Sequence, residues 1–373
     1  MTIKRILLVG GNTGGHVYPL FAVAESLGEA ASQSSIEIDI RFMGDGDILK
    51  QEAQKLGLKS YQILNSKWRR YLSLKNFIDI FKLPIGIIQT LFFLWLYMPD
   101  IIFSKGGYAS LLPCLIGRLY LIPIFIHESD AVPGITNKFL SHFAKKVYLA
   151  LTVAAKYFMP DKTEVVGCPV RKKILQGDRI QAYTFFKLDP NKPTVLVTGA
   201  SQGAKIVNDV LLLSLVELSK KFQVIHQTGL RNFDNVNGQI TKLLAEGKNT
   251  YAEGLKNNYR IYPVFDVEQM ALGYAAADVI ISRSGSQIFE SAAVGKPSIV
   301  IPLKNSGQDH QRANAREFAK FGAIVIEEDN LTPHILINEI EKAYDQRQSL
   351  SEKVRVFANL NSADIIANQL LNT

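Results

Sequence analysis

Cysteine is scarce in this chain. Cys114 and Cys168 are the only two among 373 residues, they sit in apolar or proline-flanked settings, and they form no CxxC pair. That excludes a disulfide framework, argues against a metal site built on thiolates, and fits a cytosolic protein. Long apolar runs are missing as well. Leu83–Met98 is apolar except for Gln89 and the neighbouring Thr90 and is broken by Pro84, and at roughly 16 residues it falls short of the ~20 needed to cross a bilayer. Met1-Thr-Ile-Lys-Arg5 leads straight into an apolar strand, so no signal peptide is read. There is no low-complexity tract and no sustained heptad. RNP-type, helix-turn-helix and zinc-finger signatures are absent, and so is the GxGxxG spacing of dinucleotide oxidoreductases.

What remains describes a folded α/β chain. Hydrophobic residues make up 47% and charged residues 20%, and the length suits about two domains. The net charge of +8 calls for an anionic partner: nucleic acid, an anionic membrane surface or a phosphorylated substrate. The absent motifs leave nucleic acid as an explanation of charge alone. Basic residues gather at Lys67, Arg69, Arg70, Lys75 and Lys82, directly before the aromatic-rich apolar segment with Phe92, Phe93, Trp95 and Tyr97. A basic flank beside a short aromatic helix fits a face lying in a membrane interface. A helix buried against a parallel sheet fits the same residues, and two faces of one helix can do both.

The stretch Asp278–Pro302 organises the second half. Val279–Ile281 reads as a buried parallel strand, Ser284-Gly285-Ser286 as a loop, Ile288–Val294 as a helix stopped by Gly295-Lys-Pro297, and Ser298–Ile301 as the next strand. A strand–loop–helix unit of this kind exposes backbone N–H groups at a helix N-terminus, which suits a phosphate. Glu290, one turn into the helix, can accept hydrogen bonds from a diol such as ribose, or it can simply complement the helix dipole. Pro193–Val197 followed by Thr198-Gly-Ala-Ser-Gln-Gly-Ala204 and a helix repeats the pattern.

The first half is built alike. Ile6–Val9 precedes Gly10-Gly-Asn-Thr-Gly-Gly-His16 and a helix; Asp100–Phe103 precedes Ser104-Lys-Gly-Gly-Tyr108; Ile122–Ile126 precedes His127-Glu-Ser-Asp130. In open α/β sheets, ligands bind at this strand edge. His16 is an acid–base candidate because its ordinary pKa lies near neutrality, and equally a structural helix-start residue. The glycine loops begin at positions 10 and 199, so the chain holds two similar halves. Gly177–Asn191 reads as a polar, turn-rich linker, and Pro333–Leu371 as helical.

In order along the chain, the blocks are Gly11-Asn-Thr-Gly-Gly-His16-Val-Tyr-Pro19, Gly106-Gly-Tyr108, His127-Glu-Ser-Asp130 with Pro133-Gly134 and Asn137-Lys138, and Gly167-Cys-Pro-Val-Arg171. They continue with Gly199-Ala-Ser-Gln-Gly-Ala204, Ser282-Arg-Ser-Gly285 with Glu290, and Gln311 with Asn314-Ala315. This set resembles the MurG family of bacterial UDP-N-acetylglucosamine transferases over nearly the whole chain. The resemblance implies a GT-B fold, with two Rossmann-like doubly wound domains facing a cleft. It implies residues 1–168 as the acceptor-binding, membrane-facing domain, 169–345 as the UDP-sugar domain, and 346–373 as a C-terminal helix crossing back. The implied activity is inverting transfer of GlcNAc from UDP-GlcNAc to the 4-hydroxyl of an undecaprenyl-diphosphate-linked MurNAc-pentapeptide, by a peripheral protein on the cytoplasmic face of the cell membrane.

In that scheme His16 is the base. The donor-binding residues are Thr13, Gly14, Gly15, Arg171, Ser201, Val267, Glu290 and Gln311, and Tyr108, Glu128 and Asp130 surround the acceptor. Neither a cofactor nor a metal is implied: Asp45 and Asp47 lie in an early turn and form no DxD-like site. An anionic membrane surface is the implied partner. The chain departs from the family pattern at Asn12, Cys168 and His310, and in a Gly285–Glu290 loop one residue short. The same residue set also fits another GT-B UDP-GlcNAc enzyme, such as a 2-epimerase or a glycolipid transferase, and a UDP-sugar-binding membrane subunit without catalysis.

Overall fold

A computed structural model describes residues 3–11, 13–65, 74–199, 203–246 and 250–373, with only the backbone described for 74–81, 246 and 250–253. It divides into two units, residues 1–171 with 359–373, and residues 172–358.

The first unit carries β1 (Lys4–Val9), α1 (Gly14–Gln33), β2 (Ile38–Gly44), α2 (Asp47–Lys55), β3 (Lys59–Gln62), α3 (Leu74–Tyr97) and β4 (Ile101–Ser104). It continues with α4 (Tyr108–Leu119), β5 (Ile124–Glu128), α5 (Ile135–Leu140), β6 (Lys146–Leu149) and β7 (Thr163–Val165). The strands form one sheet in the order β3-β2-β1-β4-β5-β6-β7, with every neighbouring pair parallel. Strand alternation divides the core. Ile6, Leu8, Ile101 and Phe103 face one layer with α1; Leu7, Val9, Ile102 and Ile124 face the other with α3 and α4. Such two-sided burial explains why these strands read as continuous apolar runs.

The second unit carries α6 (Arg179–Phe186), β8 (Thr194–Thr198), α7 (Lys205–Lys221), β9 (Gln223–Gln227), α8 (Phe233–Glu246), α9 (Thr250–Asn258) and β10 (Tyr259–Tyr262). Then come α10 (Val267–Ala276), β11 (Val279–Ser282), α11 (Gln287–Ala293), β12 (Ser298–Val300), α12 (His310–Ala319), β13 (Ile324–Val325), α13 (Pro333–Asp345) and α14 (Arg347–Arg355). Its sheet runs β10-β9-β8-β11-β12-β13, again all parallel. Both sheets therefore reverse winding direction beside their first strand, between β1 and β4 and between β8 and β11, which creates the switch point where such sheets take ligands.

Three sequence expectations change. The supposed linker 177–191 contains α6. Asp178 caps it by accepting the Gln181 N–H at 2.7 Å, and Phe186, one turn after Ala182, is fully buried against Tyr262 and Phe265. Pro84 does not break the apolar segment, because α3 runs through it from Leu74 to Tyr97. The C-terminal region splits at residue 358 rather than 345. Phe357 stacks on Phe289 with α14 in the second unit, whereas α15 (Ser362–Leu371) buries Ile366, Ala367 and Leu370 beside α1. Gln369 fixes α15 there through Tyr148 and Glu164.

Candidate active site

In the first unit, three loops leave the C-terminal strand edge around the switch point. After β1 the chain turns into α1, whose N-cap is Thr13. Gly14 has no room for a side chain, since a Cβ there would lie 2.6 Å from the Tyr18 ring. Tyr18 in turn lies under the Arg171 guanidinium, with Cζ 3.8 Å from the ring centroid, so one aromatic platform supports both a glycine of the loop and a buried arginine. Thr13 Oγ1 stands 3.1 Å from His16 Nδ1. Gly14 and Gly15 open α1, where backbone N–H groups have no helical partners and favour an anion.

After β4 come Lys105, Gly106 and Gly107. The two glycines take φ of +86° and +80°, the left-handed region glycine tolerates. A Cβ on Gly107 would meet the His16 ring at 3.4 Å, so the second loop lies against His16. Tyr108 follows at the start of α4 and is exposed. Lys105 is buried and donates from Nζ to Ser129 Oγ at 2.9 Å.

After β5, Glu128 is buried and bound by its own loop. Its carboxylate accepts the Asp130 N–H at 2.8 Å, the Gly134 N–H at 3.1 Å and the Asn137 side-chain amide at 2.9 Å. Burial and the Asp130 charge raise its pKa to about 7, against the pull of Lys105 and these donors. Glu128 thus organises the loop, while Asp130 is the more accessible carboxylate. His127 is fully buried, with Nε2 2.8 Å from the Gly167 carbonyl; burial and Lys105 hold its pKa well below the ordinary histidine value. Its place is structural.

In the second unit, Ser201 lies outside the described residues. Val267 opens α10 behind a capping box in which Asp266 and Gln269 bond reciprocally. The loop after β11 is fixed by Arg283, which donates to the Ile301 carbonyl at 3.0 Å and pairs with Glu328 at 2.6 Å, both side chains largely buried. Ser284 Oγ donates to the Gln311 carbonyl at 2.7 Å, and Asn314 Nδ2 to the Ser284 carbonyl at 3.0 Å. These bonds tie α12 to the loop before α11. Gln311 Oε1 accepts the Leu303 N–H at 3.0 Å, which commits the oxygen and leaves the amide nitrogen as the donating end. Before α12, Gln308 and Asp309 both take left-handed backbone conformations, φ +56° and +55°, local strain of a kind that concentrates at functional sites.

Glu290 sits in the first turn of α11, half-buried, and accepts the Tyr274 hydroxyl at 3.2 Å. Sequence reasoning missed Tyr274, along with Gln287 and Thr198, which link to it. The available signal was Gln287 three residues before Glu290, hence on the same helical face. Tyr274 came from another helix and gave no local signal.

Comparison with known proteins finds relatives of both halves. Residues 6–149 match the glycosyltransferase family 28 N-terminal domain, and residues 194–369 the glycosyltransferase family 28 C-terminal domain. A Clostridium tetani protein, UDP-N-acetylglucosamine--N-acetylmuramyl-(pentapeptide) pyrophosphoryl-undecaprenol N-acetylglucosamine transferase, is 33% identical over 97% of this chain and 96% of its own length. The protein of the same name from Shouchella clausii is 32% identical over 99% of each. Among solved structures, Acinetobacter baumannii MurG aligns with a TM-score of 0.69 at 26% identity, covering 99% of this chain and 100% of that one. UDP-GlcNAc 2-epimerase from Neisseria meningitidis, solved with UDP-GlcNAc, aligns with a TM-score of 0.67 at 16% identity over the full length of both. That second likeness is one of fold alone; the sequence identity separates the two. The chain belongs to glycosyltransferase family 28 and, within it, to the MurG family of UDP-GlcNAc-dependent transferases with the GT-B fold.

Proposed function

We propose that this protein transfers GlcNAc from UDP-GlcNAc to the muramyl 4-hydroxyl of an undecaprenyl-diphosphate-linked MurNAc-pentapeptide, with inversion at the anomeric carbon. The observation that carries this reading is identity of 33% with a transferase of that name over nearly the whole of both chains. The second unit takes the donor. Glu290 accepts the ribose hydroxyls, Val267 lies beside uracil, Ser201 takes a phosphate oxygen, and the Gln311 amide donates to the sugar. Arg171 contacts the nucleotide, and Thr13, Gly14 and Gly15 meet the diphosphate. Charge that develops on the departing UDP is stabilised by N–H groups already fixed at helix N-termini, so little reorganisation is needed.

The first unit takes the acceptor. His16 removes the proton from the attacking hydroxyl, Tyr108 and Asp130 contact the acceptor, and Glu128 keeps the Asp130 loop in shape. Membrane contact is assigned to α3. Ile85, Ile88, Phe92, Trp95 and Leu96 are exposed, while Gly86, Thr90, Leu94 and Tyr97 are buried on the opposite side. The spacing of three and four residues makes this one apolar helical face. Lys67, Arg69 and Arg70 lie outside the described residues, and in this reading they meet anionic headgroups. Among the described residues, no helix is long and apolar enough to cross a membrane. The protein then acts peripherally on the cytoplasmic leaflet, where its substrates meet.

Incubation with UDP-GlcNAc, with and without the lipid-linked acceptor, tests the reading. Acceptor-dependent UDP release supports it. Acceptor-independent conversion to UDP-ManNAc would replace it with the epimerase reading.

A further inference from the structure

Tyr274 is completely buried in the second unit, yet its hydroxyl sits at the centre of a directional hydrogen-bond chain. Gln287 Nε2 donates to the Tyr274 oxygen at 3.2 Å and, with its second hydrogen, to Thr198 Oγ1 at 3.2 Å. The Tyr274 O–H then donates to Glu290 Oε2 at 3.2 Å, and the Thr198 O–H donates to Gln227 Oε1 at 3.1 Å. Four elements meet here: α10, α11 and the ends of β8 and β9. Thr198 is the last residue of β8, directly before the glycine loop. A carboxylate that accepts from a buried phenol is held in a fixed orientation, which is what recognition of a ligand hydroxyl needs.

We propose that Tyr274 is a positioning residue for nucleotide recognition: through Gln287 and Thr198 it aligns the Glu290 carboxylate with the glycine loop, so that a ribose diol is selected over a deoxyribose. This inference rests on the reading of Glu290 as the ribose-binding carboxylate. Tyr274 itself reaches no solvent and acts only through Glu290. The Tyr274→Phe change keeps the buried ring, and Gln287 keeps Thr198 as an acceptor, so the fold retains its packing.

The test compares the affinity for UDP and 2′-deoxy-UDP by calorimetry in four proteins: wild type, Tyr274→Phe, Glu290→Ala and the double variant. Wild type should prefer UDP. Glu290→Ala should abolish the preference, Tyr274→Phe should narrow it about tenfold, as loss of a hydrogen bond to a charged group implies, and the double variant should match Glu290→Ala. An unchanged preference in Tyr274→Phe beside a lost one in Glu290→Ala overturns the positioning role alone. An unchanged preference in Glu290→Ala overturns the ribose reading and this inference with it. Should Tyr274→Phe not fold, Gln287→Met reads the same chain from its other end: a narrowed preference supports the role, and an unchanged one contradicts it.

Discussion

The hydroxyl of Thr13 does not cap the helix it precedes; it lies 3.1 Å from Nδ1 of His16, one turn on. A histidine that takes a proton on Nε2 must carry its own proton on Nδ1, and that proton needs an acceptor. In the proposed mechanism Thr13 Oγ1, at that distance, supplies one and would stabilise the imidazolium as it forms. His16→Ala should therefore lower kcat by about 10²–10⁴, the usual contribution of a general base. Thr13→Val should lower it less, by about tenfold, the factor that about 1.4 kcal/mol represents. Steady-state rates of acceptor-dependent UDP release check both, and a wild-type rate in His16→Ala removes the base assignment.

The Arg283–Glu328 pair is a stability determinant of the second unit. Both side chains are nearly out of solvent and the contact is 2.6 Å. Removing one partner leaves a buried charge uncompensated, so Arg283→Met should cost about 3–5 kcal/mol. The double change Arg283→Met with Glu328→Met should cost less than the single one. Urea unfolding followed by intrinsic fluorescence gives both values; equal losses in the single and double variants would contradict the pairing.

His226 predicts an acid-sensitive second unit. Its ring lies between the Tyr259 hydroxyl at 2.7 Å and Asn208 Oδ1 at 3.0 Å, and burial lowers its pKa to about 3. In the unfolded chain the ring protonates near 6.5; in the folded unit it stays neutral. The unfolded state thus binds more protons between those values. The stabilisation is complete above about pH 6.5 and drains away as pH falls toward 3, by about 1.4 kcal/mol per pH unit. His226→Gln should flatten this slope relative to wild type in urea titrations at pH 7 and pH 5. Parallel slopes in the two proteins would contradict the assignment.

The exposed face of α3 should carry membrane affinity without carrying the fold. Phe92 and Trp95 are more than half exposed, so Phe92→Ser with Trp95→Ser should leave the unfolding midpoint nearly unchanged. Sedimentation with vesicles containing anionic lipid should fall several-fold, since each side chain withdraws apolar area from the interface. Undiminished sedimentation would move the membrane contact elsewhere.

Much of this architecture was legible because it follows from strand burial. Runs such as Ile6–Val9 and Val279–Ile281, each followed by a glycine or serine loop and a helix, specify parallel strands and place their loops at one edge. Local polarity hid α6, which has two buried residues, Ala182 and Phe186, the second meeting aromatic rings brought from far along the chain. Pro84 misled for a similar reason, since tertiary packing of Leu94 and Tyr97 holds α3 together despite it. At the site, single residues on loops could be named, but their roles could not be ranked. Glu128 and Asp130 look equivalent in sequence, and only the three donors around Glu128 reveal it as the organiser of the loop. Tyr274 was invisible because its meaning is a distance to Glu290 that no spacing encodes.

Transfer of the sugar leaves its record in the product. UDP-GlcNAc and the lipid-linked muramyl-pentapeptide should yield, with this enzyme, an acceptor heavier by one N-acetylhexosamine, joined through the muramyl 4-hydroxyl in β configuration by mass spectrometry and NMR. An acceptor recovered unchanged while UDP-GlcNAc binds tightly would rule out the transfer, and a sugar attached with retained α configuration would rule out inversion.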